Sequence, residues 1–241
     1  MRRIEWNVTA RTRIPHVRVN LAERALVTWL LLDASPSMQF GTADRRKADV
    51  ADGVALAVAH VATRRGNRLA VSTFGDDDPL DLPPHQGRTG LIGLLAALQR
   101  EPTQEGGGAT SLGSALTRLG GHARQRGVVI VVSDFRGPLD WRRPLLQLLG
   151  RHQVLAVEIR DPREQELPDV GELWLVDPET GRQVRVDTRS RELRARFADA
   201  AREERTGVAR VLSALAVPHV VLSTEGDWLR PLAAFLGRSR R

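Results

Sequence analysis

Eight residues, Ala25-Leu26-Val27-Thr28-Trp29-Leu30-Leu31-Leu32, hold a single hydroxyl among apolar side chains before the chain turns to Asp33. A run so short and so apolar reads as a strand covered on both faces, the place a parallel sheet gives its inner strands. A second such run, Val128-Val129-Ile130-Val131-Val132, gives way to Ser133 and Asp134. Strands of this kind need helices above and below them. Arg45 to Arg65, Thr89 to Arg100, Leu112 to Gln125, Trp141 to Gly150, Ser190 to Leu215 and Asp227 to Leu236 supply the helical patterns. Arg68 to Phe74, Gln153 to Ile159 and His219 to Ser223 read as further strands, and the Pro-containing stretch Leu80 to Gly87 has room for a short edge strand. Leu173-Trp174-Leu175-Val176 and Gln183-Val184-Arg185-Val186-Asp187 flank Asp177-Pro178-Glu179-Thr180-Gly181, the turn chemistry of a hairpin. The alternation predicts an α/β, doubly wound, mostly parallel sheet with helices on both faces, of Rossmann type, plus a small β-hairpin insertion.

In such a sheet, ligands bind beyond the carboxyl ends of the strands, where strand order reverses. Asp33, Ser35 and Ser37 stand at alternate positions just there, and Asp134 ends the second apolar run. If the two strands are neighbours, both carboxylates face one crevice. Close anions repel and call for a cation between them or a raised pKa. Gly106-Gly107-Gly108 would let the backbone before Thr110 approach closely, adding another neutral oxygen. Hard oxygen donors of this kind suit Mg²⁺, Mn²⁺ or Ca²⁺. Asp161 ends a third strand; it reads first as a turn residue ahead of Pro162, and otherwise as an acid that backs the ligands or touches a partner.

Composition removes several alternatives. There is no cysteine, so thiolate zinc sites, disulfides and thiol nucleophiles are out. No apolar run approaches the roughly 20 residues needed to span a bilayer, and Met1-Arg2-Arg3 is not followed by an apolar stretch, which together lead to a cytoplasmic expectation. The net charge of +7 is carried by arginine, since Lys47 is the only lysine. Those arginines alternate with acids, as in Arg202, Glu203, Glu204 and Arg205, and aromatics make up only 4% of the chain. That is a solvated helix face with few stacking platforms, so a nucleic-acid partner is not expected. The glycine run lacks the Gly-Lys-Ser/Thr of a P-loop, no Gly-x-Ser-x-Gly occurs, and the histidines show no metal spacing. A Mg²⁺-dependent hydrolase or phosphotransfer enzyme stays open on two carboxylates alone, but no base or nucleophile accompanies them.

The ordered set Asp33-x-Ser35-x-Ser37, Thr110 in Gly108-Ala109-Thr110-Ser111-Leu112, and Ser133-Asp134 resembles the metal-ion-dependent adhesion site of von Willebrand factor A-type domains. Ile4-Glu5-Trp6-Asn7, Glu23-Arg24, Ser35-Pro36-Ser37-Met38-x-Phe40-Gly41, Ser133-Asp134-Phe135 and Asp161-Pro162-Arg163-Glu164 resemble, more narrowly, the bacterial domain-of-unknown-function family fifty-eight, which carries such a domain. The resemblance implies a non-enzymatic, metal-dependent interaction module: Asp33, Ser35, Ser37, Thr110 and Asp134 as the metal site, Mg²⁺ foremost, and a MoxR-type AAA+ ATPase or its client as partner. Members of that family carry a longer β-rich region ahead of the tryptophan motif, and here Glu5 stands where an aspartate is usual. Residues 1–24 are therefore expected to form an arm, or the remnant of an upstream β region, before a domain over 25–241.

Overall fold

The computed structural model describes residues 3–4, 6–14, 16–18, 26–42, 44–64, 66–99, 111–176 and 181–238. At the amino end, β1 (Arg3–Ile4) pairs antiparallel with β2 (Val17–Arg18), and α1 (Trp6–Thr12) lies between them. This is the stretch expected as an arm or the remnant of an upstream β region. Seven residues free of glycine and proline form a helix instead, and the β pairing shrinks to two residues on each side.

The main sheet has six strands in the order β10 (His219–Ser223), β7 (Gln153–Arg160), β6 (Gly127–Ser133), β3 (Val27–Asp33), β4 (Arg68–Phe74) and β5 (Asp81–Gln86). All neighbours run parallel except β5, which pairs antiparallel with β4 at the edge. Pro83 and Pro84 are tolerated in β5 because an edge strand can leave donors unpaired. From β3 the chain winds outward through β4 and β5, then crosses back to β6 on the other side of β3. The reversal of winding therefore lies between β3 and β6, whose ends carry Asp33 and Ser133-Asp134.

Alternation along the strands sorts their side chains into two cores. Trp29, Leu31, Val129, Val131 and Ala156 pack against α4 (Leu112–His122), α5 (Arg142–Leu149) and α6 (Arg191–Ala214). Leu30, Leu32, Ile130, Val132, Leu155 and Val157 pack against α2 (Lys47–Arg64), α3 (Gly87–Leu98) and α7 (Leu229–Arg238). The fit of α2 follows from its spacing, with Val50, Val54 and Val58 one turn apart and buried. β8 (Glu172–Val176) and β9 (Gln183–Asp187) form the expected hairpin; its turn residues 177–180 lie outside those described. Among the described residues no helix is long and apolar enough to cross a membrane.

The central position of β3 makes its core residues expensive to trim. Leu30→Ala is expected to cost about 2–5 kcal/mol in chemical denaturation, since Leu30 is completely buried between β3's neighbours and α2.

Candidate functional site

β3 ends at Asp33, where Ala34 N donates to Phe74 O at 2.7 Å and pulls the chain over the end of β4. Ser35 then opens a short 3-10 turn, Pro36–Gln39, in which Pro36 supplies a preset first residue. This turn is held tightly against Gly75. A Cβ on Gly75 would meet the Cβ and backbone N of Ser35 at 2.7 Å, and its φ of +84° is one that only glycine adopts freely.

The turn aims its oxygens at one point. Ser35 N donates to Asp33 Oδ1 at 3.0 Å. The hydroxyls of Ser35 and Ser37 lie 3.0 Å apart, and Ser37 Oγ donates to Asp134 Oδ2 at 2.9 Å. Ser133 Oγ donates to the other oxygen of Asp33. After Asp134 the chain turns sharply through Phe135, which takes a left-handed φ of 54° and packs edge-on to Trp141 with ring centroids 5.7 Å apart. That turn brings Arg136 N back to Asp134 Oδ1 at 3.1 Å. Asp33, Ser35, Ser37 and Asp134 are thus brought together in one hydrogen-bonded chain. Thr110, with the glycine run before it, lies outside the described residues; its neighbour Ser111 caps α4, accepting from Ser114 N at 3.2 Å, and lines the same cleft.

Two members of the site escaped sequence reasoning. Lys47, the first residue of α2, has no exposed surface. Its Nζ lies 2.6 Å from Asp134 Oδ2 and 2.7 Å from Glu164 Oε1. Arg136 Nη1 reaches the same Glu164 oxygen at 3.0 Å. The one available clue was that a single lysine stands among so many arginines. Where a compact ammonium must fit, the wider planar guanidinium does not replace it.

Asp161 is a different case. It is 0% exposed, so it is not presented to a partner. It accepts from Thr42 N at 2.9 Å, from the Thr42 and Thr224 hydroxyls at 2.7 Å each, and from Arg163 N at 2.8 Å. Burial alone would raise its pKa, but these four donors more than offset that and hold it below its ordinary value. Asp161 joins the ends of β7 and β10 to the loop before α2. Through a reciprocal cap it also fixes the turn that carries Glu164.

Above these groups opens a cleft of about 870 Å³. Its floor is the polar chain just described. Leu175 and Val184 from the hairpin and Phe197 from α6 form an apolar wall, and Arg136, Arg163 and Arg182 stand among its lining side chains. The donor chemistry fits a hard divalent cation. Asp33 is pushed up from 3.8 to about 7, first by burial and next by the charge of Asp134, and the bonds from Ser133 and Ser35 offset only part of this. That is the state of a carboxylate pair with too little positive charge beside it. Among the described residues no group of three or more His, Asp or Glu side chains is placed to hold a metal, so a cation here would depend on hydroxyl oxygens as well.

A carboxyl near 7 in the folded chain and near 3.8 unfolded binds its proton more tightly when folded. In EDTA, stability should therefore fall as pH rises from about 4 to about 7. Asp33→Asn should remove that slope: thermal unfolding in EDTA is expected to show the variant more stable at pH 8 by on the order of 1–3 kcal/mol, with the gap closing near pH 4. Gly75→Ala should lower the unfolding midpoint at every pH, because the added Cβ displaces Ser35.

Among solved structures, the chain is similar to the conserved hypothetical protein BatB from Bacteroides thetaiotaomicron, with a TM-score of 0.57 and 13% identity over 90% of this chain and 98% of that one. It is similar in the same way to an aerotolerance-related membrane protein from Bacteroides fragilis, with a TM-score of 0.58 and 12% identity over 90% and 99% of the two chains. Such distant likeness bears on the fold alone, and it agrees with the doubly wound, mostly parallel α/β arrangement seen here. In sequence, the chain is 39% identical to uncharacterized protein Rv1480 of Mycobacterium tuberculosis H37Rv over 243 aligned residues, covering all of this chain and 76% of the relative. The family model described as "Protein of unknown function DUF58" matches residues 1–207. The chain belongs to this DUF58 family.

Proposed function

We propose that the chain is a protein-interaction module rather than an enzyme, and that a divalent cation at its cleft floor mediates contact with an acidic group of the partner. The observation behind this reading is the hydrogen-bonded chain of Asp33, Ser35, Ser37 and Asp134 at the switch point of the sheet. Asp33, Ser35 and Ser37 would hold the ion, joined by Thr110 from the glycine-rich loop, with Asp134 in support. Mg²⁺ is the first choice for such donors, with Mn²⁺ and Ca²⁺ next. When bound, the ion supplies a Lewis-acidic position that a carboxylate can complete.

The chain's own side chains do the rest. The serine hydroxyls are oriented by one another and by Asp134, so they meet a ligand without reorganising. Leu175, Val184 and Phe197 offer apolar area beside the polar floor and keep water from the contact. The family resemblance suggests a MoxR-type AAA+ ATPase, or its client, as the partner and the cytoplasm as the place of action.

With a purified MoxR-type ATPase immobilised, the wild-type chain is expected to be retained in Mg²⁺ and released by EDTA, and Asp33→Ala to pass through. Retention that ignores EDTA would sink the metal dependence. By calorimetry, Asp33→Ala should bind Mg²⁺ or Mn²⁺ at least about tenfold more weakly than wild type. Equal affinities would take Asp33 out of the site.

A further inference from the structure

Lys47 brings a third charge to a site otherwise read as two carboxylates and hydroxyls. It is the only lysine of the chain, it is wholly buried, and its ammonium lies 2.6 Å from the Asp134 oxygen that also accepts from Ser37. Its second anion, Glu164, is shared with Arg136. Asp134 thus already has a cation beside it, while among the described residues Asp33 is met by neutral donors only, on Ser35 and Ser133. A divalent ion facing both carboxylates alone would be fully neutralised. With Lys47 on Asp134, the same ion would be balanced by Asp33 only.

We propose that Lys47 is a tethered counter-ion of the cleft: it weakens the hold of the site on a divalent cation and leaves the bound cation with net positive charge toward an incoming anion. This rests on the metal reading given under Proposed function. It adds a trade between two affinities. A site that neutralises its metal completely binds the metal well and a partner's carboxylate poorly. A site that already contains a fixed ammonium does the reverse, because the ammonium repels the metal and attracts the carboxylate. The burial of Lys47 keeps that repulsion unscreened by salt, unlike a surface charge. The geometry also explains why the ammonium stays in place. Glu164 is fixed by its reciprocal cap with Asp161 and by Arg136, so Lys47 is held by a second, anchored carboxylate besides Asp134.

The test is calorimetric titration with Mn²⁺ alone, on wild type, Lys47→Met, Glu164→Gln and the double variant Lys47→Met/Glu164→Gln, each checked for folding by circular dichroism. The double variant guards against misfolding of Lys47→Met, which leaves the half-buried Glu164 with Arg136 as its remaining cation. Both variants lacking the ammonium are expected to bind Mn²⁺ about tenfold or more tightly than wild type, and Glu164→Gln alone no more tightly than wild type. Adding Asp33→Ala to the double variant should abolish the gain. Folded variants without the ammonium that bind Mn²⁺ no better than wild type would overturn the role of Lys47 while leaving the metal site standing. An absence of Mn²⁺ binding in all four proteins would overturn the metal reading itself.

Discussion

Asp33 and Asp134 stand at the ends of two strands buried along nearly their whole length, and charge in such a place has to be met by donors or neutralised. Most of the local architecture answers that requirement. The 3-10 turn after β3 exists to bring Ser35 N and the Ser37 hydroxyl back to the carboxylates. The left-handed turn at Phe135 returns Arg136 N to Asp134. The loop before α2 is tied by Thr42 to Asp161, which delivers Lys47 from one side and Glu164 from the other. A buried ion pair of this kind adds little net stability over an apolar packing of the same volume, but losing one partner is costly. Its value is in placement: it fixes which loops meet, and at what distance.

Strands β3 and β6 were legible from sequence because burial on both faces leaves nothing but apolar side chains, and their terminal acids stand out by contrast. That Asp33, Ser35 and Ser37 come together at the strand end was legible for the same reason, since alternate polar positions right after such a run share one edge of the sheet. Lys47 and Glu164 were not. Lys47 opens a helix beside Arg45, Arg46 and Asp49, where a charged residue normally faces water, and its partners lie 87 and 117 residues away. Nothing local marks a salt bridge between residues so far apart. The helix Trp6–Thr12 was not legible because seven residues span only about two turns, too few to establish a helical period. Asp161 looked like a turn residue, which it is; beyond Arg163 N of its own turn, its donors come from Thr42 and Thr224, which only the fold brings to it.

The hairpin β8–β9 is legible as a hairpin but not as part of a cleft. Its strands alternate, and the side bearing Leu173, Leu175, Val184 and Val186 is apolar enough to have signalled a buried face. Leu175 and Val184 line the same cleft as Ser35 and Ser37, so an insertion outside the main sheet helps to shape the space around the groups at its edge. The polar floor and the apolar wall come from parts of the chain with different histories of packing: one is set by the ends of central strands, the other by a ribbon with few ties to the cores. Changes in the ribbon can therefore alter what fits the cleft without disturbing the carboxylates beneath it.

A chain whose single side-chain amine is enclosed between two carboxylates is closed to every reaction that begins with a free lysine. Acyl transfer to a lysine, isopeptide tagging and amine-coupling reagents all need an accessible nitrogen, and in the folded domain Lys47 is wholly enclosed. Acylation of that one nitrogen would instead report the moment at which the loop around Asp134 and Glu164 comes apart, making the chain a natural recorder of its own local opening.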